Sequence, residues 1–369
     1  MEQNIYQRLG LKRVINACGK MTILGVSSVA PEVMQATTEA ASAFVEIDKL
    51  VDRAGELVSR HTGGEDSYIT SCASAGIAIA VAAAITRGRP EQVAMMPDSS
   101  GLANEVLMLR GHNIDYGAPI TSAIRLGGGK VVEVGSSNLV ARWQLERAVS
   151  ERTAALLYVK SNHCVQKGML SIADFVQVAR AHSLPLIVDA AAEEDLRQWV
   201  AQGADMVVYS GAKAFNAPTS GLITGKRSWL AACKAQHYGI ARAMKIGKEN
   251  MVGLIVALDR YEDARQAPDA DALRPAVAAI SALRGLNADI EQDEAGRAIW
   301  RIRVHVDADA LGLDAREVEA QLREGDIAIY ARRYFLHEGV FSLDPRTLGE
   351  GDMALIVARL KEITQHAAD

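Results

Sequence analysis

The residues best suited to chemistry are a lysine and an aspartate, each placed where a strand-like apolar run ends. Lys213 comes shortly after the run DMVVYS and lies before Pro218 and Gly221 in the segment SGAKAFNAPTSG. Asp189 closes the run LPLIVD and is followed by three alanines. Side chains just beyond buried parallel strands lie at the carboxyl edge of the sheet, where ligands bind in open α/β folds. Desolvation at that edge would lower the pKa of a lysine and keep its amine nucleophilic.

A third feature is a run of small residues between the strand-like segment DSYIT and the apolar helical segment IAIAVAAAI. Small residues at a helix N-terminus leave backbone N–H groups open and the helix dipole adds positive potential, so such a turn can hold a phosphate. The same kind of turn also caps helices that bind no ligand. The predicted cradle residues are Ser71, Cys72, Ala73 and Ser74, with the Ser210 hydroxyl as a further donor.

Together these features match what pyridoxal phosphate (PLP) requires of a protein. That cofactor needs a lysine for its Schiff base, an acid beside its pyridinium nitrogen and a cradle for its phosphate. Taken singly, Lys213 could be a solvated loop residue and Asp189 a helix N-cap. Their occurrence with the small-residue turn in one chain favours a PLP enzyme.

The elements that would position these residues are strands and helices in alternation between about residues 65 and 225. The alternation predicts a doubly wound α/β domain with a mostly parallel sheet. The strand-like runs are QVAMMPD, KVVEVG, AALLYVK, LPLIVDA, DMVVYSG and GLITG. The helical stretches include IAIAVAAAITRG, ADFVQVARAHS and EEDLRQWVAQG.

The pattern changes after about residue 250, where long helical stretches are followed by shorter strand-like and helical pieces such as IWRIRVHVD, AREVEAQLREG and DIAIYARRYF. This predicts a smaller α+β domain. The predicted division is residues 1–255 for an N-terminal segment with the large cofactor-binding domain, and residues 256–369 for the small C-terminal domain.

Composition narrows the classes of partner. The formal net charge of -5 would repel polyanions, so we expect a small-molecule substrate and no nucleic acid. The four scattered cysteines and the lack of a signal-like or membrane-spanning segment predict a cytoplasmic protein that binds no membrane. The eight histidines lack the paired spacing of metal ligands, so no metal is expected.

Ordered motifs carry a family resemblance that covers most of residues 12–255. The chain resembles the fold-type I PLP enzymes, which share the aspartate aminotransferase fold, and among them the group of bacterial selenocysteine synthase and its shorter metabolic relatives. Selenocysteine synthase has an additional N-terminal domain that binds tRNA, whereas here the motifs begin almost at once, which argues against a tRNA substrate. The motifs are VINACGKMTILG, GGGKVVEVGSSN, LLYVKSNHCVQKG, LPLIVDA, YSGAKAFNAPTSGLITG and ARAMKIGK.

The likeness to the shorter relatives implies a carbon–nitrogen lyase that removes water and ammonia from a phosphorylated amino-sugar acid by α,β-elimination. Lys213 would then also move the α-proton. Enzymes of this fold often bind the substrate carboxylate with an arginine of the small domain, which implies Arg332 or Arg333. For the substrate phosphate the candidates are Arg242, Lys245 and Lys20, although adjacent basic residues more often form a solvated face.

The resemblance also leaves alternatives open near the cofactor ring. Asn162 or His163 could hydrogen-bond the ring oxygen or cover the ring, and His112 and Tyr116 compete for stacking on it. Enzymes of this group generally build each active site from two subunits, so a homodimer is the minimum expectation and larger homo-oligomers are possible.

Three other functions compete with this hypothesis. The first is another PLP reaction, such as that of a racemase, an aldolase, an aminotransferase or a selenocysteine synthase-like transferase, because fold does not determine reaction. The second is a non-catalytic or tRNA-binding relative, against which the three cofactor features argue. The third is a nucleotide-dependent α/β enzyme, which the absence of glycine-rich phosphate-binding motifs disfavours.

Overall fold

The computed structural model describes residues 4–263 and 269–367. Its strands are β1 (Arg13–Ala17), β2 (Asp66–Thr70), β3 (Glu105–Leu109), β4 (Lys130–Val134), β5 (Thr153–Val159), β6 (Leu186–Asp189), β7 (Met206–Ser210), β8 (Gly221–Gly225), β9 (Leu286–Gln292), β10 (Trp300–Val306), β11 (Ile327–Ala331) and β12 (Val340–Leu343). Its α-helices are α1 (Ile5–Arg8), α2 (Pro31–Ala41), α3 (Ile47–Thr62), α4 (Ala73–Thr86), α5 (Pro90–Val93), α6 (Ile120–Leu126), α7 (Arg142–Ala148), α8 (Ile172–Ala181), α9 (Gln198–Ala201), α10 (Gly211–Ala214), α11 (Arg227–Ala235), α12 (Lys248–Asp263), α13 (Arg274–Ser281), α14 (Ala308–Leu311), α15 (Ala315–Glu324) and α16 (Asp352–His366).

Short 3-10 helices also occur in the described residues, at Thr22–Leu24, Arg110–His112, Gln236–Tyr238, Ile240–Arg242, Ala270–Leu273, Leu336–Glu338 and Pro345–Thr347. None of the described helices combines the length and the apolar character that a membrane crossing requires.

The described residues form two compact units. The larger unit comprises residues 29–263, and the smaller one comprises residues 4–28 together with residues 269–367.

A seven-stranded sheet organises the larger unit, with strand order β2-β8-β7-β6-β5-β3-β4. Strands β4, β3, β5, β6 and β7 are parallel, and β8 runs antiparallel to both β7 and β2. The antiparallel β8 therefore lies between two strands that share one direction. This arrangement confirms the predicted α/β class with a mostly parallel sheet.

Burial on both faces explains why the central strands are apolar throughout. In β7, Met206, Val207, Val208 and Tyr209 are all fully buried. Helix α4 is apolar on every side and is buried against this sheet. Gly76 allows its close approach, because a Cβ at that position would lie 2.8 Å from Cγ1 of Val208.

The smaller unit contains a parallel pair, β1 with β11, and a three-stranded antiparallel sheet of order β12-β10-β9. Its core is a separate apolar cluster that includes Ile15, Ile302 and Leu360. The N-terminal strand thus pairs with a strand more than 300 residues further along the chain.

The observed units differ from the predicted division at 1–255 and 256–369. Residues 4–28 belong with the C-terminal residues, because β1 hydrogen-bonds to β11. The predicted boundary also falls inside α12, which belongs whole to the larger unit in its described part.

Two local predictions were wrong. The segment QVAMMPD is no strand, since Pro90 begins α5 and turn hydrogen bonds such as Ala94 N–H to Pro90 O follow. Of EEDLRQWVAQG only α9 is helical, because the Asp195 carboxylate accepts the N–H groups of Arg197 and Gln198 and caps the helix there.

Candidate active site

Several strand ends of the larger unit meet at one edge of its sheet. β2, β5, β6 and β7 share a direction, so their carboxyl ends lie at the same edge, while β8 begins there with Gly221. This edge brings together Lys213, Asp189, Ser210 and the turn that follows β2, as the sequence predicted.

Lys213 lies in α10, the single turn of helix that follows β7. The Ser210 Oγ accepts the backbone N–H of Lys213 at 3.3 Å and caps that turn. The Lys213 side chain is half-buried. Ser210 therefore orients the lysine backbone, and its own O–H can still donate to an anion.

Asp189 ends β6, and it pairs with Val208 of β7 in parallel register. Its side chain is buried, with 6% exposed, and it accepts the backbone N–H of Ala191 at 3.0 Å. Burial raises the pKa of the Asp189 carboxyl, while the Ala191 hydrogen bond and the charge of Lys213 act to lower it. Asp189 is thus a buried acid whose ionised form is favoured by a cation beside it.

The turn after β2 leads directly into α4. Cys72 is the N-cap, its Sγ accepts the N–H of Ala75 at 3.4 Å, and its carbonyl accepts the N–H of Gly76. Within the described residues no acceptor takes the N–H groups of Ala73 and Ser74. With the dipole of a 14-residue helix behind them, these amides can bind an anion.

Two contacts of this cradle were not predicted from the sequence. The hydroxyl of Tyr116 lies 3.1 Å from that of Ser74. Gly221 of β8 approaches so closely that a Cβ there would lie 2.5 Å from the Cys72 carbonyl carbon and 2.7 Å from the Ala73 nitrogen. The Pro-x-x-Gly sequence before β8 was the available signal for the glycine; nothing local signalled the tyrosine contact.

Tyr116 and His112, the two candidates for stacking on the ring, lie in different surroundings. Burial raises the pKa of the half-buried Tyr116 hydroxyl and the charge of Asp189 adds to the increase, although the Ser74 hydrogen bond opposes it. His112 is 2% exposed, its Nδ1 accepts the N–H of Val159, and burial lowers its pKa to about 4. Tyr116 therefore contacts the cradle through Ser74, and His112 is a buried core residue that is neutral near pH 7.

Asn162 and His163 follow β5 at the same edge. A backbone hydrogen bond joins this loop to the end of β6, because the N–H of Lys160 donates to the backbone carbonyl of Asp189 at 2.8 Å. Asn162 is half-buried and His163 is exposed in the single chain.

Two of the candidates for the substrate phosphate also belong to the larger unit. Arg242, at the end of a 3-10 helix, and Lys245 are both exposed.

The smaller unit holds the remaining predicted substrate residues. The half-buried Arg332 donates from Nη1 to the Cys18 carbonyl at 3.4 Å, and its guanidinium lies 5.0 Å from the ring centre of Tyr334. Arg333 is exposed and pairs with the buried Glu319, Nε to Oε2, at 3.2 Å. Lys20 is half-buried and follows Gly19, whose φ is 86°.

Among the described residues, no group of three or more histidine, cysteine, aspartate or glutamate side chains could hold a metal ion. All four cysteines are free thiols.

Comparison with known proteins identifies several relatives of this chain. The family model for L-seryl-tRNA selenium transferase matches residues 14–274. D-glucosaminate-6-phosphate ammonia lyase of Salmonella typhimurium (strain 14028s / SGSC 2262) is 78% identical over 369 residues, which is 100% of both chains. A 5'-C-glycyluridine monooxygenase-decarboxylase of a Streptomyces species is 41% identical over 97% of this chain and 91% of its own.

Solved structures agree. A structure of D-glucosaminate-6-phosphate ammonia-lyase superposes with a TM-score of 0.95 at 78% identity and covers 100% of both chains. An aminotransferase from Escherichia coli superposes with a TM-score of 0.54 at 14% identity, covering 98% of this chain and 93% of its own, which shows the shared fold alone. The predicted aminotransferase-type fold is confirmed.

Proposed function

Because the chain belongs to the L-seryl-tRNA selenium transferase family, we propose that it is a PLP-dependent ammonia-lyase acting on D-glucosaminate 6-phosphate. The products would be 2-keto-3-deoxy-6-phosphogluconate and ammonia. The observation that carries the substrate assignment is the 78% identity to a lyase of that name over 100% of both chains.

The residues at the sheet edge fit the cofactor. Lys213 would bind it covalently, Asp189 would face the pyridinium nitrogen, and the cradle would hold the phosphate. Support comes from the buried carboxylate beside a lysine charge and from the two open amides at the start of α4. The proposed cofactor-binding residues are Lys213, Asp189, Ser71, Cys72, Ala73, Ser74, Ser210, Asn162 and His163.

PLP, when bound, supplies an electron sink that makes the α-proton of an amino acid removable. The Lys213 amine, released when the substrate amine takes its place, would accept that proton at Nζ and then return it to the departing β-hydroxyl, which leaves as water. Asp189 would stay ionised, because a cation then faces it. Water taken up when ammonia leaves balances the water lost in the elimination.

The substrate brings a carboxylate and a phosphate, and arginine suits both because its planar guanidinium donates two parallel hydrogen bonds. For the carboxylate we favour Arg332 over Arg333, since Arg333 already pairs with Glu319. Arg242, Lys245 and Lys20 are the proposed phosphate residues.

The proposal includes a homodimer or a larger homo-oligomer in the cytoplasm. Apolar side chains on the larger unit support self-association, since Phe44 is fully exposed and Tyr238 is 78% exposed in the single chain. The net charge of -5 argues against nucleic acid, and a small anionic substrate would be held by local arginines.

Product analysis tests the reaction. Purified protein with D-glucosaminate 6-phosphate should release ammonia and a keto acid in equal amounts. Lys213→Ala should release neither, whereas Lys361→Ala, an exposed lysine of α16, should behave as wild type. An epimerised substrate, an amine passed to a keto acid, or no product at all would contradict the lyase assignment.

A further inference from the structure

A buried network of ion pairs lies in the smaller unit, with Asp344 at its centre. The Asp344 side chain has no exposed surface. Its Oδ2 accepts Nε of Arg301 at 3.0 Å and Nη2 of Arg346 at 2.8 Å, and its Oδ1 accepts Nε of Arg346 at 2.9 Å. One carboxylate therefore pairs with two guanidinium groups.

Asp344 also holds the turn that follows β1. Its backbone N–H donates to the Ala17 carbonyl at 2.7 Å. Gly19 lies directly against its carboxylate, because a Cβ there would come within 2.7 Å of Oδ2. The hydroxyl of Thr347 fixes the same turn by donating to the Asn16 carbonyl at 2.6 Å.

This turn supports the guanidinium of Arg332. The Cys18 carbonyl accepts from Arg332 Nη1, and the Arg332 backbone bonds to Ser342, two residues before Asp344. No carboxylate of the described residues lies within ion-pair distance of Arg332. Burial lowers the pKa of Arg332, the charge of Arg301 lowers it further, and that of Asp344 opposes both. Arg332 is thus a half-buried cation that makes no direct ion pair in the described residues, and Asp344 is an anion that favours its charged form from a distance.

We propose that Asp344 is a positioning residue, which aims Arg332 at the substrate carboxylate by pairing with Arg301 and Arg346 and by fixing the turn that carries the Cys18 carbonyl. This rests on the proposed function, in which Arg332 binds that carboxylate. Without the Asp344 charge, the repulsion of Arg332 by Arg301 and Arg346 would no longer be opposed.

The test compares Asp344→Asn with Asp293→Asn. Both side chains have no exposed surface and both pair with Arg301, but the other partner of Asp293 is Arg297. Asp344→Asn should raise the KM for D-glucosaminate 6-phosphate about tenfold with kcat within about twofold, the scale of coupling between groups in one network. Asp293→Asn should leave KM near the wild-type value.

A double-mutant cycle separates positioning from a general structural effect. Adding Asp344→Asn to Arg332→Ala should raise KM no further, because the residue through which Asp344 acts is already absent. Equal KM increases in Asp344→Asn and Asp293→Asn, or effects that multiply in the double variant, would overturn the proposal. If Asp344→Asn does not fold, Arg346→Gln keeps the Asp344 charge and removes one of the two cations that repel Arg332. Its KM should therefore stay at or below the wild-type value, and a rise of about tenfold would overturn the proposal.

Calorimetric binding of 6-phosphogluconate gives a readout without turnover, because this probe has both anions but no amine. Binding should weaken in Asp344→Asn and Arg332→Ala but not in Asp293→Asn. Wild-type protein that binds the probe in this pattern but releases no ammonia would contradict the lyase reaction and retain the positioning role. No binding by wild type, or unchanged binding in Asp344→Asn, would overturn the positioning role.

Discussion

For Asp189, the cost of burying an ionised carboxylate must be offset by a nearby positive charge. Its side chain is buried at the end of β6, where an ionised group costs free energy unless a cation lies beside it. A pyridinium nitrogen is such a cation. The residue should therefore destabilise the cofactor-free protein and stabilise the loaded one.

Asp189→Asn keeps the side-chain shape but removes the charge that would hold the pyridinium nitrogen protonated. We expect turnover of D-glucosaminate 6-phosphate to fall by about 100-fold or more, which corresponds to ~2.7 kcal/mol of activation free energy. Steady-state kinetics on cofactor-saturated protein measures this. A loss of less than threefold would show that Asp189 does not pair with the ring.

The same variant predicts a pH effect on stability. Burial raises the pKa of Asp189, so in the cofactor-free protein its ionisation opposes folding above that raised pKa. Cofactor-free Asp189→Asn should therefore be more stable than wild type at pH 7. The difference should shrink as pH falls from the raised pKa and should vanish below the ordinary carboxyl value of about 3.9, where Asp189 is protonated in both states. Urea unfolding at a series of pH values measures it, and a pH-independent difference would contradict the assignment.

At the scale of elements, many of the helices and strands of the larger unit were predictable because each has a local pattern. α4 is an unbroken apolar run and α8 begins with a Ser171 capping box, so both appear in the sequence. Contacts between elements that are distant in the chain leave no pattern in the local sequence. The Ser74–Tyr116 hydrogen bond and the approach of Gly221 to Cys72 are of this kind.

Gly221→Ala tests whether β8 shapes the cradle. The added Cβ would meet the backbone of Cys72 and Ala73, which cannot move aside without displacing the start of α4. We expect PLP affinity to fall about tenfold and stability by about 1–3 kcal/mol, the usual cost of overpacking. Gly325→Ala is the control, because its φ is -60° and the nearest atom is on the flexible Arg359 side chain at 3.2 Å. Unchanged affinity in Gly221→Ala would show that the cradle does not hold the phosphate.

At the scale of the whole molecule, the sequence pattern predicted two parts but assigned the N-terminal residues to the wrong one. Strand β1 is stabilised by β11, and pairing across so long a separation depends on tertiary packing instead of on neighbouring residues. Arg332 and Lys20, both predicted from resemblance, consequently belong to one unit in the described structure.

Exposed apolar side chains predict self-association of the whole chain. Phe44→Asp would place a charge in the exposed segment between α2 and α3 and should lower the oligomer mass, measured by light scattering after size exclusion. Leu355→Asp, which changes a 37% exposed residue of α16, is the control and should keep the wild-type mass. A wild-type mass for Phe44→Asp would place the interface elsewhere.

Covalent attachment of the cofactor to Lys213 is tested most directly by borohydride reduction of PLP-loaded protein, followed by peptide mass spectrometry. The reduced cofactor should be found on the peptide that contains Lys213, and on no peptide of the Lys213→Ala variant treated in the same way. An adduct on another lysine, or none after incubation with excess PLP, would contradict the assignment of this edge of the sheet as the active site.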